Sequence, residues 1–180
     1  MKKIVIIMIA LFSSVLSFSQ QPESGSNKYD ENGNKMGLWI TEDRYMKNFT
    51  NYKNGKRDGV FYRLNTDNNT LDYFVLLSNG ELVDFFRFDY TGGLAYRLFD
   101  FRKFENELKP PYKGYTWSKG PDRICHCVEY YPNGNIEAEG DIIFWSDDDP
   151  EIDSIEYGEW KYYDEDGSLK IKDVSKKLKN

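Results

Sequence analysis

The chain has 180 residues, and its 24 lysines and arginines against 30 aspartates and glutamates give a formal net charge of −6. Phosphates and anionic lipid headgroups repel such a protein, which excludes nucleic acid as a partner and argues against an anionic membrane surface. Its 14 tyrosines, 12 phenylalanines and 4 tryptophans stand beside a modest aliphatic content, a balance that suits short strands bearing amphipathic rings.

The N-terminus reads as a secretory signal peptide over residues 1–19. Lys2 and Lys3 form the charged region and Ile4 to Phe12 the apolar region. Ser17 and Ser19 place small residues at −3 and −1 of a cleavage point before Gln20. The apolar run is interrupted by Ser13, Ser14 and Ser17 and falls short of the roughly 20 residues of a membrane span. Cleavage there leaves 22 basic against 30 acidic residues, a charge of −8, and predicts a secreted or periplasmic, cell-envelope protein. Residues 20–28 are polar and turn-rich, so a flexible leader is expected.

From Tyr29 the pattern is strand, turn, strand. Asn54-Gly55 suits the type I′ turn of a tight hairpin, in which both central residues take φ > 0. Gly59 follows four residues later, then Val60 and Phe61. Gly33, Gly37, Leu38 and Trp39 repeat that layout 22 residues upstream. Further turn signals fall at Asp58-Gly59, Asn79-Gly80, Gly92-Gly93, Asn133-Gly134 and Asp166-Gly167. Short apolar runs between such signals predict an all-β chain of consecutive antiparallel hairpins, a β-meander.

The clearest hairpin runs Leu71–Leu77, Asn79-Gly80, Glu81–Phe88, with a further strand at Leu94–Phe101. Bulky groups on both faces make these the expected central strands. Pro110 and Pro111 donate no ladder hydrogen bonds, so residues 103–121 are predicted as a loop. It joins blocks 29–104 and 122–173 into one domain, since neither block alone has enough residues to bury a core. In the second block Tyr130-Tyr131 and Tyr162-Tyr163 each precede a turn glycine, and Gly158-Glu159-Trp160 echoes Gly37-Leu38-Trp39. Each hairpin is expected to bury its face against the next, as in a solenoid. Residues 174–180 read as a polar tail.

The stretch from Tyr52 to Gly59 and the Tyr157-Gly158-Glu159-Trp160 run resemble MORN repeats, in particular the divergent variant of bacterial proteins, some of them antitoxin-like. The resemblance covers most of 29–170, with only the first two copies regular. It implies an extended antiparallel meander presenting a surface to another protein or a membrane, and it brings no catalytic residues.

Candidate chemistry is sparse. Cys125 and Cys127 flank His126. On a strand their Cα atoms stand roughly 6.5–7 Å apart, at the edge of disulfide geometry. Two thiols on one face of a strand is the favoured reading, with a strained or intermolecular disulfide and a metal pair as alternatives. The acidic insert 146–153 offers Asp147, Asp149, Glu151 and Asp153 as calcium ligands, without the glycine and distal glutamate of a recognised loop. His126 is the single histidine, and strand alternation points it away from both thiols. No cofactor and no enzyme activity are therefore expected, an uncharacterised hydrolase being the remaining possibility.

Trp39, Phe61 and Trp160 define the repeats and are the candidate binding rings. With Trp117 and Trp145 they would serve either as stacking platforms for sugars or as cover for neighbouring strands. The expected role is a non-enzymatic module binding another protein, with a carbohydrate-binding module as the alternative.

Overall fold

The computed structural model describes residues 25–105, 120–145 and 154–174. The expected signal peptide, most of the expected leader, the proline-containing segment expected as a loop, the acidic insert with its calcium candidates, Trp117 and nearly all of the expected tail lie outside the described residues.

Eleven strands make one sheet: β1 (Lys28–Tyr29), β2 (Lys35–Glu42), β3 (Met46–Lys53), β4 (Lys56–Asn65), β5 (Leu71–Ser78), β6 (Glu81–Phe88), β7 (Leu94–Lys103), β8 (Arg123–Tyr130), β9 (Ile136–Phe144), β10 (Ser154–Tyr163) and β11 (Leu169–Asp173). Their order in the sheet is their order in the chain, and every pairing is antiparallel. The fold is therefore an all-β antiparallel meander. β7 pairs directly with β8, so the sheet is continuous across residues 104–122. Pairing starts before Tyr29. Asn27 accepts from the Ile40 amide at 2.7 Å and donates to its carbonyl at 3.0 Å, which anchors the end of the expected leader to β2.

The Asn-Gly pairs make two different turns. At Asn54-Gly55 and Asn79-Gly80 both residues have positive φ (52° and 77°, 54° and 88°), the two-residue type I′ geometry. At Gly33, Gly92, Gly134 and Gly167 the loop is longer, and only the glycine of each turn pair takes positive φ. In the first of these Asp30 N–H donates to the Asn34 carbonyl and Gly33 N–H to the Asp30 carbonyl. Asp30 Oδ1 accepts from the amides of Asn32 and Asn34, a local bond set that supports this turn.

Asp58-Gly59 is not a turn. Gly59 lies inside β4 with φ 81°, where Asn51 alone stands opposite residues 58–60 because the register shifts between Thr50 and Tyr52. This is a β-bulge, and glycine supplies its left-handed residue. Gly37 and Gly158 also take positive φ inside strands (65° and 75°), each two residues before a repeat ring.

Register partners share a face, and they carry one row across eight strands. Trp39 pairs with Thr50, Thr50 with Phe61, then Val75, Phe85, Leu98, Cys127 and Gly140 follow in turn. Trp160 packs on Gly140 from the bulge of β10. The main core lies on this face: Val75, Leu77, Phe85, Leu98, Cys125, Cys127, Ala138, Ile142, Phe144, Trp160 and Val174. A smaller cluster of Phe104, Ile124 and Ile143 belongs to the opposite face, since Ile143 alternates with Ile142 and Phe144.

Candidate functional site

The three repeat rings fall on the packed face, in the single row just described. Trp160 is 1% exposed. Trp39 is half-buried between the edges of Tyr29 and Tyr52, with centroids at 5.0 and 6.0 Å, and Lys35 Nζ stands 4.3 Å over its ring. Phe61 meets Tyr73 edge-on at 5.2 Å, and Arg57 approaches its ring at 5.8 Å. Burial closes Trp160 to a sugar, and Trp39 and Phe61 each have ring and cation neighbours from the chain itself.

Where this face reaches β8 to β10 it opens into a cleft of about 210 Å3, lined by Tyr96, Leu98, Cys127, Glu129, Ile142, Ser154, Glu156 and Trp160. Glu129 and Glu156 come from different strands. The Tyr162 hydroxyl donates to Glu156 Oε1 at 3.1 Å, and burial, then this bond, push the phenol up to about 12. Burial raises the Glu129 carboxyl above its ordinary value, with Glu137 and then Glu156 adding to the shift. Nothing in the sequence marked these two glutamates. They stand 27 positions apart, and the bulge in β10 that accompanies their approach is visible in sequence only as Gly158.

Both cysteines are free and buried. They share the packed face, and His126 points to the other side, as strand alternation required. Burial raises both thiols. Cys127 reaches about 12, with further contributions from Glu129 and Glu156. His126 Nδ1 lies 3.0 Å from Asp141 Oδ1, and Arg102 Nη2 lies 3.0 Å from Asp141 Oδ2. Among the described residues no group of three or more His, Cys, Asp or Glu side chains is placed to hold a metal ion.

The opposite face carries a second row, Ile40, Phe49, Tyr62, Phe74, Phe86 and Arg97, again joined by register. Phe49 and Tyr62 stack at 4.5 Å with 8° between planes, and Phe74 meets Phe86 at 5.9 Å. All four rings are half-buried. Arg97 continues the row over Phe86 and Phe99, at 5.1 and 4.5 Å, with its guanidinium held by both oxygens of Asp84 at 2.9 and 2.6 Å. The tryptophan and glycine signature of the repeats lies on the packed face. This second row has no glycine signature, and its only signal is the alternation of β3 to β6.

No family model matches the chain, and neither a curated protein nor a solved structure does.

Proposed function

We propose that the chain is a secreted or periplasmic, non-enzymatic β-repeat protein of MORN-like type that acts as a protein-interaction module. The observation carrying this reading is the row Phe49, Tyr62, Phe74 and Phe86: four half-buried rings on one face of a sheet, with no described strand lying over them. A contiguous apolar strip bordered by charge, here Lys47 and the Arg97–Asp84 pair, is the composition of a protein-binding surface. The glycan alternative draws less support, because Trp160 is buried and Trp39 and Phe61 pack edge-on with the chain's own tyrosines.

The test immobilises residues 20–180 and captures binders from an envelope extract of the producing cell, with and without protease, alongside a Tyr62→Ser/Phe74→Ser variant. A stoichiometric, protease-sensitive binder lost by the variant is expected. Capture that survives protease and is competed by sugars would overturn the reading in favour of carbohydrate binding. N-terminal sequencing of the exported protein should begin at Gln20.

A further inference from the structure

We infer that β11, the strand at the end of the sheet, is a strand-addition site for an extended acidic segment of another protein, one in which acidic and aliphatic residues alternate. The inference goes beyond the ring row and does not rest on it, since β11 lies far along the strand order from β3 to β6.

The two edges of the sheet differ. At one end β1 is two residues long, and the chain around it covers β2. Asn27 N–H donates to the Leu38 carbonyl, the Asn27 side chain bonds both backbone groups of Ile40, and the Lys28 carbonyl accepts the Trp39 indole N–H. A short edge strand of this kind resists further pairing. At the other end all five residues of β11 are exposed, and no described strand lies beyond it. Val174 N–H donates to the Gly158 carbonyl and Asp164 N–H to the Ser168 carbonyl, each at 2.9 Å. These bonds fix the phase of the ladder: Lys170 and Lys172 turn their backbone groups to β10, and Leu169 and Ile171 turn theirs outward. Outward N–H and C=O groups at alternate residues are the template onto which an extended chain adds.

The side chains select the occupant. Register places Leu169 and Ile171, 51% and 57% exposed, on the ring-row face and Lys170 and Lys172 on the packed face. Lysines continue past the strand in sequence, giving five against one aspartate over residues 168–180 in a chain of net charge −6. An incoming strand therefore meets cations on one face and aliphatic groups on the other. Carboxylates opposite the lysines and aliphatic side chains opposite Leu169 and Ile171 make favourable cross-strand pairs. A second copy of the chain does not fit. Two-fold pairing of β11 with itself about Ile171, which joins the most outward groups, sets Lys170 against Lys172 on both sides of the axis, and like charges directly opposite are destabilising.

The experiment titrates isotope-labelled protein, residues 20–180, with an acetylated and amidated heptapeptide of alternating glutamate and valine, following amide hydrogen exchange by NMR. Saturable binding is expected. The Leu169 and Ile171 amides should exchange freely in the unbound protein and at least about tenfold more slowly in the complex. Binding should weaken about fivefold in K170Q/K172Q, the effect of two exposed ion pairs. It should be lost in Ile171→Pro, which removes an outward donor and leaves the bonds to β10 in place. The Tyr62→Ser/Phe74→Ser variant should bind the peptide as the parent does. The inference is overturned if the peptide protects neither amide at millimolar concentration. Protection of both amides in the unbound protein would overturn it too, by putting the chain's own tail on the edge. Equal affinity for a lysine–valine peptide would remove the charge selection, and equal affinity for the acidic peptide N-methylated at alternate residues would remove the backbone ladder; either result sinks the idea. If the peptide binds while envelope capture fails, the edge stands and the ring-row reading falls; capture without peptide binding gives the converse.

Discussion

The indole of Trp160 lies face-on against Gly140. A Cβ placed on that glycine would stand 2.5 Å from Cδ2 and 2.6 Å from Cδ1 and Cε2, and Trp160 Nε1 donates to the Asp141 carbonyl at 3.0 Å. Gly140→Ala should therefore lift the ring off the sheet. A loss of about 2–3 kcal/mol is expected from overpacking at a buried site, read by urea denaturation, together with a red shift of tryptophan emission.

Gly158 makes the opposite case. Its φ is +75° and no atom lies within 4 Å of the position a Cβ would take, so an alanine there meets backbone strain alone. Gly158→Ala should cost about 1 kcal/mol, and Gly158→Asn less, because asparagine tolerates the left-handed region. Emission should stay unshifted in both.

Glu129 and Glu139 should act oppositely on stability against pH. Burial, then Glu137 and Glu156, hold the Glu129 carboxyl above its ordinary 4.5, so its charged form penalises the fold. That penalty is complete above the folded pKa and fades as pH falls toward 4.5. Glu129→Gln should raise Tm by a few degrees at pH 7, with the difference vanishing near pH 4.

For Glu139, the hydrogen bond from Lys161, supported by Tyr163, holds the carboxyl below 4.5. Its stabilising contribution is complete above 4.5 and is lost as pH falls through the folded pKa. Glu139→Gln should be less stable than the parent at neutral pH and converge with it in acid. Thermal melts across pH 3–8 would check both glutamates.

Neither thiol should react in the native state. Burial keeps Cys127 and Cys125 protonated at pH 8 and sterically screened, and the thiolate is the nucleophile. Mass spectrometry after iodoacetamide treatment should find both unmodified without denaturant and both alkylated in guanidinium.

Hairpin positions were legible in the sequence because turn chemistry is local. Asn79-Gly80 and the runs around it gave β5 and β6 within a residue of their observed ends, and the central place of β5 to β7 followed from bulky groups on both faces. The bulges were not legible. Asp58-Gly59 carries the same dipeptide signal as a turn, and what makes it a bulge is the partner strand: Asn51, whose side-chain Nδ2 donates to the Val60 carbonyl at 2.9 Å. The two Asn-Gly turn types were not legible either, since Asn32-Gly33 and Asn133-Gly134 make the longer turn with Asp30 and Tyr131 respectively at its start. The cleft was hidden for the same reason, since its glutamates meet only once β8, β9 and β10 are in register.

Strand order identical to chain order has a mechanical consequence. Among the described elements each strand has substantial contacts only with its sequence neighbours, so contact order is low and assembly can begin at any hairpin and zip outward. Tension applied at the two ends would peel the sheet one strand at a time instead of breaking it in a single event. Whole hairpins could be removed from the β1 side, or duplicated within the array, while the remaining strands keep their partners. A chain of this design lengthens or shortens its surface by counting hairpins, with no new core to invent.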